Sequence, residues 1–171
     1  PTLFAERGWS ATWYGALAGT FMFAAAVGNV ISGAMADRYG MRTATVGPLV
    51  LGVPAGLICL WSPTPLAAFV ACALAGLLIG GQHSVLVVHA QRLLPVRQGF
   101  AAGLILGFTF AAGGIGTWLG GLAANHFGLL PVMQVMTLLG IPAALLAFTL
   151  PRREPPPVPA EAELEPRPIA A

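Results

Sequence analysis

Apolar and polar positions fall along this chain in long blocks rather than short periods. No residue carries a formal charge from Gly8 to Ala36, from Thr43 to Gln91 or from Gln98 to Pro151, and the blocks are separated by short clusters at Glu6-Arg7, at Asp37, Arg38 and Arg42, and at Arg92 and Arg97. Such a run offers no polar face to water and is long enough for a membrane-crossing helix, which needs about 20 residues. Two breaks divide the longer blocks. Ser62-Pro63-Thr64-Pro65 contains two residues without a backbone donor, and Asn125-His126-Phe127-Gly128 is polar and ends on glycine. The pattern predicts an all-α, polytopic transmembrane bundle with five spans, at about 11–36, 43–61, 66–91, 100–124 and 131–150. Residues 1–10 read as an extracytoplasmic loop and 11–151 as the transmembrane domain. Residues 152–171, with repeated prolines among four glutamates, read as a disordered cytoplasmic tail that cannot bury apolar surface.

Composition sharpens this. With 57% hydrophobic and 8% charged residues in 171 and a mean hydropathy of +0.81, the chain is too apolar for a soluble domain. A net charge of +2 gives no reason to expect nucleic acid as a partner. Cys59 and Cys72 lack metal-ligand or redox spacing and read as small apolar fillers. There is no nucleophile–base set, phosphate loop or metal cluster, so neither an enzyme nor a cofactor is expected. The start at Pro1, without a basic segment and cleavage site, reads as an internal piece of a longer protein. All basic residues are arginines, and Arg38/Arg42, Arg92/Arg97 and Arg152/Arg153 fall in alternate connections. The positive-inside rule therefore places those connections and the C-terminus in the cytoplasm.

The pattern Gly33-x-x-x-Asp37-Arg38-Tyr39-Gly40 recurs as Gly121-x-x-x-Asn125-His126-Phe127-Gly128, with Gly33 and Gly121 lying 88 positions apart. One copy falls on each side of the membrane, as in an inverted repeat of three-helix units. If the third to fifth spans form one unit, the other lacks a helix before the first span.

The stretch Gly33 to Thr43 resembles the loop signature of the major facilitator superfamily of secondary transporters. This resemblance implies that the spans correspond to the eighth to twelfth helices of a twelve-helix fold, a partial C-terminal half that works with a missing N-terminal half. Ala90-Gln91-Arg92-Leu93-Leu94-Pro95, followed by Gly103, Gly107, Gly113, Gly114 and Gly116, is similar to the fosmidomycin resistance branch. Two positions depart from that branch: Arg92 stands where it has an acidic residue, which leaves the ion pair of that loop unassigned, and Met41 where a basic one is usual. The resemblance implies a proton-coupled exporter of drugs or other small molecules in a bacterial inner (plasma) membrane, with the substrate, protons and the lipid bilayer as partners. Import of a small metabolite, or a non-transporting scaffold subunit, are the other readings.

In the family the equivalent of Asp37, with the signature arginine, closes the cytoplasmic side between the two halves, which would make Gly33, Asp37, Arg38, Gly40 and Arg42 a gating loop. Asp37 ends its own helix, where the dipole disfavours a carboxylate, so it needs a cationic or helix-terminal partner. The plainer alternative is a solvated loop whose arginines only set topology. Gln82, His83 and Ser84 form the most polar patch within any span, and such a patch must face protein or water. Gln82 and His83 are therefore candidate substrate contacts, or else interhelical hydrogen bonds. Asn29 is a further cavity candidate, with Ser32, Thr109 and Gln134 behind it. Gly103, Gly107, Gly113, Gly114 and Gly116 are expected to pack helices closely. No carboxylate lies inside a span, which points to a proton-carrying acid elsewhere in the protein.

Overall fold

The computed structural model describes residues 2–150. The elements are α1 (Thr2–Glu6), α2 (Ala11–Tyr39), α3 (Met41–Trp61), α4 (Pro65–Gly80), α5 (Gln82–Leu93), a 3-10 turn at Pro95–Arg97, α6 (Gln98–Phe127), α7 (Leu129–Leu138) and α8 (Gly140–Ala147), with no strand among the described residues. Five segments are long and apolar enough to cross a membrane: Ala11–Tyr39, Met41–Trp61, Pro65–Leu93, Pro95–Phe127 and Leu129–Ala147. The expected tail at 152–171 lies outside the described residues.

Three differences from the sequence reading have local causes. Residues 2–6 form a helical turn rather than a loop, because Leu3 and Phe4 are buried and Phe4 packs with Leu17, Ala68 and Cys72. The third span is broken at Gly81 into α4 and α5, and the fifth at Leu139 into α7 and α8. Glycine pairs or prolines mark both places: Gly80-Gly81 in one, and Gly140 followed by Pro142 in the other.

The helix ends follow from their residues. Thr64 caps α4, its hydroxyl accepting from the Ala67 amide at 3.3 Å, and Pro65 takes the first helical position, where a missing N–H costs nothing. Gly40 closes α2 with a φ of 83°, donating its N–H to the Ala36 carbonyl at 3.0 Å. Gly128 closes α6 in the same way, with a φ of 85° and a 3.0 Å bond to the Ala124 carbonyl. Only glycine enters this backbone region without strain, so both copies of the repeated octapeptide stop their helices by the same device.

α2 packs on α4 and α3, and α3 also packs on α4, α7 and α8. α6 stands outermost against α5 and α7, with Ala101 its one buried residue. The spans alternate in direction, and contacts mark the two ends. At one end Arg7 donates to the Leu60 carbonyl at 2.6 Å. At the other the Arg42 guanidinium lies 5.0 Å from the Phe148 ring centroid, so the signature loop and the end of the fifth span share a side.

Candidate functional site

α2 and the third span run parallel in one unbroken register. The Cys72 thiol donates to the Leu17 carbonyl, the Phe21 carbonyl stands 2.5 Å from where a Gly76 Cβ would be, and Gly80 abuts Ala25. Further along, Asn29 bonds Ser84 and Asp37 bonds Arg92. Each of these partners is 55 residues beyond the first, and the α2 members sit on one i, i+4 row. Such rows interlock as ridges and grooves, and glycine on the facing helix lets the backbones meet. A Cβ on Gly28 would run into the Leu77 carbonyl, and one on Gly81 into the Ser32 hydroxyl.

The rung Gly33/Val88, between the Asn29 and Asp37 rungs, is open. There a cavity of about 150 Å³ is lined by residues that include Gly33, Asp37, Ser84, Val88, His89 and Arg92. Its mouth carries the ion pair: Arg92 Nη2 donates to Asp37 Oδ1 at 3.3 Å, with Arg92 52% and Asp37 72% exposed. Arg92, the departure from the branch, is thus the cation that Asp37 needs at the C-terminal end of α2. Arg38 lies over the Tyr39 ring, 5.4 Å from its centroid.

The polar patch divides between two jobs. Asn29 Oδ1 accepts from the Ser84 amide at 3.2 Å, and the Ser84 hydroxyl donates to the Asn29 carbonyl at 3.1 Å. Ser84 is in the first turn of α5, where amides have no partner within the helix, so Asn29 caps the broken third span from a neighbouring helix. Gln82 is buried and donates to the Ala44 carbonyl at 3.4 Å. That carbonyl is four residues before Pro48, which has no N–H to give it, so Gln82 satisfies a group that proline leaves bare in the bilayer. His83 points elsewhere: its half-buried ring meets Phe110 of α6 edge-on, with centroids 6.4 Å apart.

The site residues named from sequence therefore separate. Gly33, Asp37 and Arg92 come together at one end, Asn29 and Gln82 act inside the bundle, and His83 lies on the α5–α6 side. Among the described residues a Cβ on Gly103, Gly107, Gly113, Gly114 or Gly116 would meet nothing within 4 Å, so these glycines pack no helix of this chain. Close packing within the described residues falls at Gly28, Gly81 and Gly140 and at two glycine pairs whose four-residue spacing already pointed to helix packing, Gly52/Gly56 and Gly76/Gly80. The helix break and its cap could have been found from Gly80-Gly81 followed by three polar residues, which is a helix start signal inside an apolar run.

A parallel pair of spans with a capped discontinuity, in an inverted repeat, is the architecture of a secondary carrier. The model of the Major Facilitator Superfamily matches residues 1–171, and the chain belongs to that family. It is 34% identical over 131 residues to the uncharacterized MFS-type transporter YfnC of Bacillus subtilis strain 168, covering 77% of this chain and 32% of that protein. It is 32% identical over 128 residues to the fosmidomycin resistance protein of Escherichia coli K12, covering 75% of this chain and 31% of that protein. The chain thus spans about a third of the length of these relatives. No solved structure matches it.

Proposed function

We propose that the whole protein is a secondary transporter that exports a small molecule in exchange for protons, and that this chain supplies helices of its C-terminal half. The observation that carries this reading is the closely packed parallel pair of α2 and the third span, held in register to the Asn29 cap and ending at the exposed Asp37–Arg92 pair. A rigid unit with charged contacts at its mouth is what a rocking half requires. Asp37, Arg38 and Arg42 form the gate on the cytoplasmic side, Gly33 and Gly40 let it turn, and His83 with Phe110 offers the substrate surface. Asn29 and Gln82, spent on backbone groups, serve that surface by holding the broken span. The likeness to a fosmidomycin resistance protein supports export. The proton-carrying acid belongs to the rest of the protein.

In a drug-sensitive bacterial host, the full protein should lower accumulation of at least one compound of a panel that includes fosmidomycin, and an uncoupler should abolish the effect. The 171-residue chain alone should do nothing, because one part of a clamp cannot alternate. Efflux by the chain alone, or net uptake by the full protein, would overturn the reading.

Orientation is a separate expectation. In a background lacking Cys59 and Cys72, Thr64→Cys should react with an impermeant thiol reagent added to intact cells, and Gln98→Cys should react only after lysis. Reversed labelling would refute a cytoplasmic signature loop.

A further inference from the structure

Cys59 and Cys72 are far enough apart in sequence to read, on spacing alone, as unrelated fillers. The fold makes them neighbours. α3 and α4 run antiparallel on either side of the Ser62 to Pro65 turn, and the Cys59 thiol donates across to the Ala68 carbonyl at 3.7 Å. That carbonyl is also the one that the Cys72 amide meets in the α4 ladder, so Cys59 lies over the helical turn that Cys72 ends. Cys72 is buried with Phe4, Leu17 and Ala68, Cys59 packs against the same cluster, and the two thiols interact directly. Packed helices have axes about 8–10 Å apart and Cα atoms about 2.3 Å from each axis, so facing Cα atoms lie about 3–5 Å apart at closest approach. A disulfide accepts up to about 7 Å.

We infer that Cys59 and Cys72 form a dithiol site that a small, apolar disulfide oxidises to an intramolecular bridge between α3 and α4. The half-buried Cys59 reacts first. Its sulfur gives up its proton and attacks one sulfur of the reagent, forming a mixed disulfide and expelling the other half, which leaves as a thiol with that proton. Cys72 then gives up its proton and attacks the Cys59 sulfur, and the second half leaves as a thiol. Two cysteine thiols are oxidised while one disulfide is reduced to two thiols, as exchange requires. Buried cysteines are ordinarily inert for want of access. Cys72 needs none, because Cys59 carries the reacting sulfur to it. The bridge closes the chain around the Ser62 to Pro65 turn and withdraws the S–H that Cys72 gives to the Leu17 carbonyl. Oxidation therefore fastens α3 to α4 and removes one contact between α4 and α2.

The test treats membranes containing the full-length protein with dithiodipyridine, blocks remaining thiols with N-ethylmaleimide and digests with trypsin without reduction. Trypsin cuts after arginine, and no arginine or lysine lies between Arg42 and Arg92, so both cysteines fall in the single peptide Thr43 to Arg92. That peptide should be lighter by two hydrogen atoms and carry neither a pyridylthio nor a maleimide group. Cys72→Ala should instead retain one pyridylthio group, on Cys59. A stricter control combines Val70→Cys with Cys72→Ala. Val70 is 54% exposed, and two residues along a helix are a turn of about 200°, so the moved thiol should react without closing a bridge. Bridging in that control would mean that nearness in sequence suffices, and would overturn the placement of Cys72. Free thiols or pyridylthio groups on the treated unsubstituted peptide, or a bond between two copies, would each overturn the inference. Detergent-solubilised elution matching that of the unsubstituted protein checks that each variant is folded. The peptide mass is independent of transport, so failure of the export reading leaves this result standing.

Discussion

Gly28→Leu will leave little or no detergent-stable protein, while Gly19→Leu, on the same helix, will be recovered at near the unsubstituted level. The side chain at Gly28 would enter the Leu77 carbonyl, which is backbone of the helix that α2 must touch; at Gly19 nothing stands within 4 Å. Overpacking typically costs about 1–3 kcal/mol, and more when backbone has to move. Here the movement is opposed along the whole register, since Gly76 and Gly80 abut the same helix. Alanine gives a finer reading. In an open helical position Gly→Ala is favourable by about 0.5–1 kcal/mol, so Gly19→Ala should raise the melting temperature in detergent and Gly28→Ala should lower it. Fluorescence-detected size exclusion after graded heating measures both. Equal behaviour at the two positions would mean that α2 and α4 do not meet as described.

The spans were legible because a bilayer leaves a chain so few options. Uncharged blocks of this length, punctuated by Arg clusters and Pro-Thr-Pro, fix the number of spans and place their ends to within a few residues, but not the breaks inside the third and fifth. The positive φ at Gly40 was legible for the same kind of reason, since a tight turn after Tyr39 demands glycine. What could not be read was which of many small residues touch. Gly28 and Gly116 are alike in sequence and in the repeat, yet only Gly28 has a neighbour within 4 Å, and that difference is made by a helix elsewhere in the chain. Gln82 and His83 show the same limit. They are adjacent, so a helix points them about 100° apart, and one polar patch becomes a buried bond to Ala44 and an aromatic contact with Phe110. The use of Gln82 was recoverable only by pairing it with Pro48, whose missing donor becomes relevant once α3 and α5 are known to pack.

Arg92→Glu in the full-length protein should depress transport more than Asp37→Ala, with neither variant losing stability appreciably. The Asp37–Arg92 pair is exposed at both members, and pairs of that kind contribute about 0–1 kcal/mol. A bias of that size does not decide folding. It can shift the balance between two states of a carrier severalfold, since about 1.4 kcal/mol is a factor of ten. Asp37→Ala removes only that bias. Arg92→Glu adds repulsion by placing a second carboxylate beside Asp37, at a helix end where the dipole also disfavours it. The exchanged variant, Asp37→Arg with Arg92→Asp, discriminates between mechanisms. Both residues lie in or beside the last turn of their helices, so the exchange leaves the dipole terms balanced and keeps one ion pair. Recovery of uncoupler-sensitive efflux by the exchanged protein would mean that the pair itself holds the gate. If efflux stays low while the protein melts normally, Asp37 acts on the other half of the carrier instead. Higher efflux from Arg92→Glu than from the unsubstituted protein would show that a glutamate here, as in the resembling branch, pairs with Arg38 or Arg42, and would remove Arg92 from the gate.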